Sequence, residues 1–424
     1  VFSLGIALLV LAQTPRIRLD VPLPSMIRLL ALTMLLWVAS GCRAQESPPP
    51  LESQRSVEVQ QPLTHRPVAA PPAVTGRQPL LWVSLGAHLG ARADAAPLTL
   101  TAASGSLSLE DRSGRRWSAA SVQISWRSVP LEQPLALARR VAGPFASFES
   151  AERVALRWRA LGVAAEVAHP ADWEVWAPAG APAPGDLPVR DWSTRLESSV
   201  EPVLQLPEGG TTLKGPLQID APGGLRWGKG VFQGPFRLQR DAYGSWTLVE
   251  QVPLERYLEG VVPHEIGAGS PQAALQAQTV LARTWALANS HRFRIDGYHL
   301  CSDTQCQVYS DPRQAGQAVR QAITATKGRL LSWQGKPISA VYHATNGGVM
   351  AAGPEAWAMD AQAYLKAEAD GDAGWQQRHG LPLQQRSAVA RRLAEREGAY
   401  GSARPRFRWT RMLTASGIRQ ALGA

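Results

Sequence analysis

The chain reads as an α+β protein: a β-rich N-terminal subdomain containing a strand-helix-strand unit, then a mixed α/β domain whose helices surround one acidic motif. Three observations predict this class. Apolar and polar residues alternate in Leu80-Leu-Trp-Val, Leu98-Thr-Leu-Thr and Ser106-Leu-Ser-Leu, the period of half-buried strands separated by Gly-containing turns. Phe148, Ala151, Val154, Ala155, Trp158 and Leu161 recur at helical spacing, with Gly162 as the stop and Val163 to Val167 returning to strand. Between Val252 and Leu287 a short helical stretch and a long one flank a Gly-containing loop that carries Glu265. A length of 424 residues, 45% of them hydrophobic, is enough for two or three folded units.

The N-terminus reads as a targeting segment over residues 1–42. Phe2 to Ala12 is apolar, and a second signal begins at Met26, with a basic start ending at Arg28, an apolar run from Leu29 to Val38, and then Ala39-Ser40-Gly41-Cys42. The last four residues resemble a lipoprotein cleavage site at which Cys42 would be lipidated, although Ala39 stands where Leu is usual. An ordinary cleaved signal and a signal anchor remain as alternatives. All three place the body of the protein outside the cytoplasm, in the periplasm or cell envelope, and two of them tie it to a membrane. Residues 43–78 are rich in Pro, Ala, Gln and Ser without apolar period, as expected of a disordered tether.

Residues 79–180 form the β-rich unit. Pro184 to Glu201 reads as a linker, and the second folded region, 205–424, opens with strands at Leu217-Gln-Ile, Phe236-Arg-Leu and Trp246-Thr-Leu-Val. In the motif that follows, Pro253 begins the short helix, Leu254, Tyr257, Leu258 and Val261 form its apolar stripe, and Pro263 stops it. Ser270 is expected as the N-cap of the long helix with Pro271 in its first position. Gln272, Gln276, Thr279 and Arg283 share one face of that helix, which would ordinarily meet solvent. Glu265, at the junction, is the candidate catalytic acid. Helical stretches at Ser387 to Glu397 and Thr414 to Leu422 complete the pattern. The formal charge of +10 favours anionic partners. No helix-turn-helix or zinc-finger spacing accompanies it, so no nucleic acid is expected as a partner.

These residues carry a resemblance. Leu254-Glu255, Tyr257-Leu258, Gly260-Val261-Val262-Pro263, Glu265, Ala274-Leu275, Ala277-Gln278 and Ala282-Arg283-Thr284-Trp285 are similar, in one register, to the signature of the SpoIID/LytB domain family. Gln307-Val308-Tyr309, Tyr342-His343 with Gly347-Gly348, and Ala363-Tyr364-Leu365 match further elements of it. The resemblance implies a peptidoglycan-directed protein, with glycan strands as substrate and a cell-wall amidase as a possible partner. It implies a lytic transglycosylase that cuts denuded glycan with Glu265 as its one acid/base group, or else a non-catalytic binding or amidase-enhancing factor. Arg283, Gln278, Tyr342 and His343 are the residues expected to meet substrate, with a structural ion pair the alternative for Arg283. Cys301 and Cys306, with His299 just upstream, are open between a local disulfide and the zinc site of some relatives. Family members continue to a G-H-G-x-G-x-S-Q segment that is not found here, so the domain is expected to be incomplete at its C-terminal side. The unit from Gly143 to Trp176 shares a pattern with SPOR repeats, small peptidoglycan-binding modules; a purely structural subdomain is the alternative.

Overall fold

The computed structural model describes residues 62–421 except 208 and 411. The targeting segment, the proposed lipidation at Cys42 and most of the tether lie outside the described residues. The fold is α+β, with strands dominating the N-terminal half. The chain runs β1 (Leu80–Leu89), β2 (Leu98–Ala102), β3 (Leu107–Glu110), β4 (Arg116–Ala119) and β5 (Ser121–Phe145) into α1 (Phe148–Ala160). It then forms β6 (Glu166–Ala168), β7 (Trp173–Pro178), β8 (Val189–Leu206), β9 (Gly209–Thr212), β10 (Leu217–Asp220), β11 (Leu225–Trp227), β12 (Gly230–Phe232), β13 (Phe236–Arg240) and β14 (Trp246–Pro253). Next come α2 (Leu254–Val262), α3 (Gln272–Ala288), β15 (Leu300–Cys301) and α4 (Gln317–Ala325). Short helices and two-residue strands make up the remainder. No helix of the described residues is long and apolar enough to cross a membrane.

One sheet has the order β15-β1-β14-β13-β10-β3-β4, the other β12-β11-β2-β5-β7-β6, with β8 also on β5 and β9 on β8. This interleaving departs from the division into 79–180 and 205–424. β1 pairs antiparallel with β14, Leu81 opposite Val252, and β10 pairs with β3, so strands from both sides of the expected boundary share one sheet. A single apolar cluster holds Leu81, Val83 and Leu100 from one side with Leu238, Leu248 and Tyr257 from the other. Such long-range pairing leaves no local mark, because each strand's alternation records that one face is buried and not against what.

The expected linker is also corrected. Val189–Leu206 is a long strand, paired with β5 from Ile124 opposite Leu204 to Ala142 opposite Val189. Much of this ribbon is exposed on both faces, so ladder hydrogen bonds hold it without the apolar alternation that marks a strand in sequence. The described part of the tether takes a fixed course. Leu63 bridges Leu137, donating to the Ala136 carbonyl at 3.1 Å and accepting from the Ala138 amide at 2.9 Å, and Arg139 donates to the Thr64 carbonyl.

The strand-helix-strand unit forms as its spacing predicts. Ser147 caps α1 by accepting from the Ser150 amide, and Phe148, Ala151, Val154, Ala155 and Trp158 bury against β7 and its neighbours. The returning strand is β6, at Glu166–Ala168, a little later than its apolar residues suggest.

Candidate functional site

The two helices of the motif are joined by a wide turn. α2 ends at Val262 with Pro263 as its C-cap, as the proline predicts, but the chain does not pass into an open loop: residues Pro263–Gly267 form a π-helical turn that follows directly. Proline has no N–H and its ring crowds the carbonyl one turn back, and a wider turn relieves both constraints. Gly267, at φ 89°, ends it in a conformation that glycine adopts without strain. Ser270 is not the N-cap of α3. Its hydroxyl donates back to the Ile266 carbonyl at 2.9 Å, while Pro271 takes the capping position and the helix starts at Gln272. Glu265 therefore sits on a hydrogen-bonded helical bend and not in an open loop.

The far side of the bend is fixed by close packing. A Cβ on Gly260 would lie 2.4 Å from the Tyr309 ring and 2.6 Å from the Ser310 carbonyl, so only glycine lets residues 309–310 approach α2. The Ser310 amide donates to the Gly260 carbonyl at 3.0 Å. This docks the segment that carries Gln307 and Val308 beside Glu265. The Val308 amide donates to Glu265 Oε1 at 2.9 Å, and the Tyr342 hydroxyl stands beside the same carboxyl group in the cleft, close enough to act on it as a donor. Burial lifts the Glu265 carboxyl above the ordinary carboxylate value, and the two donors pull it part of the way back.

Glu265 opens into a cleft of about 390 Å³. Val308, Tyr342 and Cys306 stand on one side; the first turn of α1, with Phe148 and Glu149, stands on another, and Trp285, Arg292 and Trp357 complete it. The strand-helix-strand unit thus supplies part of the cleft wall. Arg292, 4% exposed, pairs with Glu149, donates to Asn289 Oδ1 at 3.1 Å, and lies 4.5 Å from the Phe148 ring and 4.9 Å from the Trp285 ring. That pair ties α1 to the segment following α3.

The expected substrate contacts divide. Tyr342 lies in the cleft, and Gln278, buried on α3, lies close to the Tyr342 hydroxyl without closing a well-formed hydrogen bond through its Nε2. His343, its neighbour in sequence, is exposed and does not line the cleft. Arg283 does not reach Glu265 either: its guanidinium, 1% exposed, makes a bidentate pair with Glu255 on α2 at 2.9 and 2.8 Å. The polar stripe on α3 is accordingly not solvent-facing at Thr279 and Arg283, which are buried where α3 packs on α2 and α4.

Cys301 and Cys306 are joined as a disulfide with Cα atoms 5.7 Å apart. The zinc alternative does not fit these residues. His299 is 3% exposed and both ring nitrogens are committed, Nδ1 accepting from the Trp82 amide at 2.8 Å and Nε2 donating to the Pro72 carbonyl at 2.8 Å. The parallel pairing of β15 with β1 brings His299 beside Trp82, where these two bonds hold the ring. Among the described residues no cluster of three or more His, Cys, Asp or Glu is arranged to hold a metal.

Sequence reasoning missed Phe148, Glu149, Arg292 and Trp357 as cleft residues, because they come together only through tertiary packing. Gln307 and Tyr257 had a signal in the family resemblance, but nothing local marked their connection to Glu265.

Residues 242–333 match the SpoIID family model, described as stage II sporulation protein. The chain is 35% identical over 134 residues to stage II sporulation protein D of Bacillus amyloliquefaciens, covering 28% of this chain and 38% of that protein. It is 34% identical over 113 residues to the amidase enhancer of Bacillus subtilis, covering 27% of this chain and 15% of the relative. An uncharacterised protein of Brachyspira hyodysenteriae is 34% identical over 110 residues, covering 24% of this chain and 28% of the relative. The matches thus span well under half the length of each relative. The segment that holds Glu265 is thus similar to the SpoIID/LytB family, whose model it matches from residue 242 to 333.

Proposed function

We propose that this is an extracytoplasmic, cell-wall-directed protein that cleaves peptidoglycan glycan strands as a lytic transglycosylase, with Glu265 as its acid/base group. The observation that carries the reading is one half-buried carboxyl, raised by burial, bonded by the Val308 amide and flanked by the Tyr342 hydroxyl, in a cleft that Phe148, Trp285 and Trp357 also line. Protonated Glu265 gives its proton to the glycosidic oxygen as the C1–O bond breaks. The resulting carboxylate, steadied by Val308 N–H and Tyr342 O–H, then takes the proton of the same sugar's C6 hydroxyl as O6 bonds to C1. The products are a new free hydroxyl end and a 1,6-anhydro end, and no water is consumed. The other carboxyl lining the cleft, Glu149, is neutralised by Arg292, which suits a reaction that needs one acid/base group.

The test is to incubate the purified protein with glycan strands freed of stem peptides and to search for 1,6-anhydro ends by mass spectrometry. Cleavage lost in Glu265→Gln by roughly two to four orders of magnitude supports the reading. Binding without cleavage in both proteins overturns it. The similarity to a protein named amidase enhancer supports a second reading, a non-catalytic wall-binding factor that stimulates an amidase partner. That reading predicts faster amidase turnover with Glu265→Gln as effective as wild type. Attachment to a membrane through lipidated Cys42 is part of the proposal, and Cys42→Ser should release the protein from the membrane fraction.

A further inference from the structure

Tyr342, beside Glu265 in the cleft, stands at one end of a chain of hydrogen bonds whose direction is set at its buried other end. Tyr257, on α2 and fully buried, donates its hydroxyl to Gln307 Oε1 at 3.2 Å. Gln307, 1% exposed, donates from Nε2 to the Tyr342 hydroxyl oxygen at 3.1 Å. Tyr342 in turn lines the cleft beside Glu265, its hydroxyl near the carboxyl group. A hydroxyl carries one proton. With its oxygen receiving the Gln307 N–H, the Tyr342 proton is left for the carboxylate.

We propose that Gln307 is a positioning residue for Glu265: its amide, oriented by the Tyr257 hydroxyl, aims the Tyr342 proton at the carboxylate. The shape of an amide does not distinguish its two ends, so the surrounding partners decide which way it faces. Turned about, Gln307 would present its oxygen to Tyr342 and draw that proton away, leaving Glu265 opposite a lone pair. The same turn would make the Tyr257 oxygen an acceptor and strand its proton in a fully buried place, a cost that holds the amide as found. The Gln307-Val308 dipeptide then serves Glu265 twice, through the Val308 N–H directly and through Tyr342 indirectly. The Cys301–Cys306 disulfide closes the loop just before it. Glu149 and Arg292, the ionised groups on the other wall of the cleft, are paired with each other and take no part in this chain.

The catalytic consequence rests on the acid/base reading of Glu265, but the positioning itself is measurable without turnover. Protein labelled with carbon-13 at the Glu side-chain carboxyl is titrated by NMR, the Glu265 signal being the one absent from Glu265→Gln. Tyr257→Phe removes one hydroxyl remote from the carboxyl, and Gln307→Leu removes the amide; each should raise the Glu265 pKa by about one unit, as Tyr342→Phe does. If the wild-type protein cleaves glycan, the alkaline limb of kcat/KM should move by the same amount in Tyr257→Phe. An unchanged Glu265 titration in Tyr257→Phe, with Tyr342→Phe shifted, overturns the proposal. Should Gln307→Leu fail to fold by circular dichroism, Tyr257→Phe decides alone. A shifted titration in a protein that cuts no glycan would sink the transglycosylase reading and leave the positioning intact.

Discussion

Arg283 and Glu255 lock α3 to α2 through a bidentate ion pair whose guanidinium is 1% exposed, with further contacts from Arg283 Nη1 to Thr326 Oγ1 and the Arg329 carbonyl at 3.4 Å. The pair braces the two helices behind the bend that presents Glu265 and touches nothing in the cleft. Arg283→Ala should therefore cost stability, about 3 kcal/mol in urea unfolding, because truncation leaves a buried void and an unpaired carboxylate. Glu255→Ala should cost less in hydrogen-bonding terms at its own more exposed end, yet it strands the buried guanidinium. The double variant should be less unstable than the sum of the singles. Wild-type pH dependence of cleavage in the folded fraction of Arg283→Ala would separate this bracing role from substrate contact.

The raised Glu265 carboxyl makes both rate and stability depend on pH. The acid step needs the protonated form, so kcat/KM should fall as pH rises through a value above the ordinary carboxylate range of about 4. Tyr342→Phe removes a donor that lowers the pKa and should move that limb further up. For stability the sign is the one for a raised group: its contribution is full below the unfolded carboxylate pKa and is lost as pH rises through the folded one. Glu265→Gln should thus gain in Tm relative to wild type as pH rises above the ordinary carboxylate value of about 4. Thermal melts at several pH values check this, and a constant difference would contradict the burial of the carboxyl.

Chelation and reduction should act differently on the loop before Gln307. With His299 held between Trp82 and Pro72 and the sulfurs joined, EDTA should leave Tm and activity unchanged. Reduction of Cys301–Cys306 should cost about 2 kcal/mol, the loop-closure value for so short a ring. It should also lower activity, since Cys306 lines the cleft and adjoins the Gln307-Val308 dipeptide. A Tm that falls with EDTA in the oxidised protein would reverse the assignment.

The α1 wall should matter to binding as well as folding. Glu149→Ala leaves Arg292 buried without its carboxylate and should destabilise by roughly 3 kcal/mol. Phe148, 2% exposed and packed on Trp173 with ring centroids 5.2 Å apart, anchors the same turn. Phe148→Leu keeps most of the buried volume and should raise KM for glycan more than it lowers kcat, the signature of lost positioning surface remote from the reacting bond. Equal losses in kcat and kcat/KM would place this turn at the reacting bond instead.

Much of the fold was legible where apolar period is local. α1 shows its buried face in Phe148, Ala151, Val154, Ala155 and Trp158, and α2 shows its own in Leu254, Tyr257, Leu258 and Val261. Val189–Leu206 was not legible, because a strand wet on both faces is held by backbone pairing that any polar side chain permits. At the bend, proline and serine suggested a stop and a cap. The stop holds for α2, but the chain then widens into a π turn in place of an open loop, and Ser270 turns back onto Ile266.

By itself the sequence determined the acidic residue at the helix junction and the helices around it, since periodicity, proline placement and family register are properties of neighbouring residues. Tertiary structure alone decided what Glu265 meets. Val308 and Tyr342 reach it from 43 and 77 positions away, α1 closes the cleft, and Arg283 turns to Glu255. The physical reason is that burial and hydrogen-bond direction, which set the chemistry of a carboxyl, depend on which distant segments pack beside it.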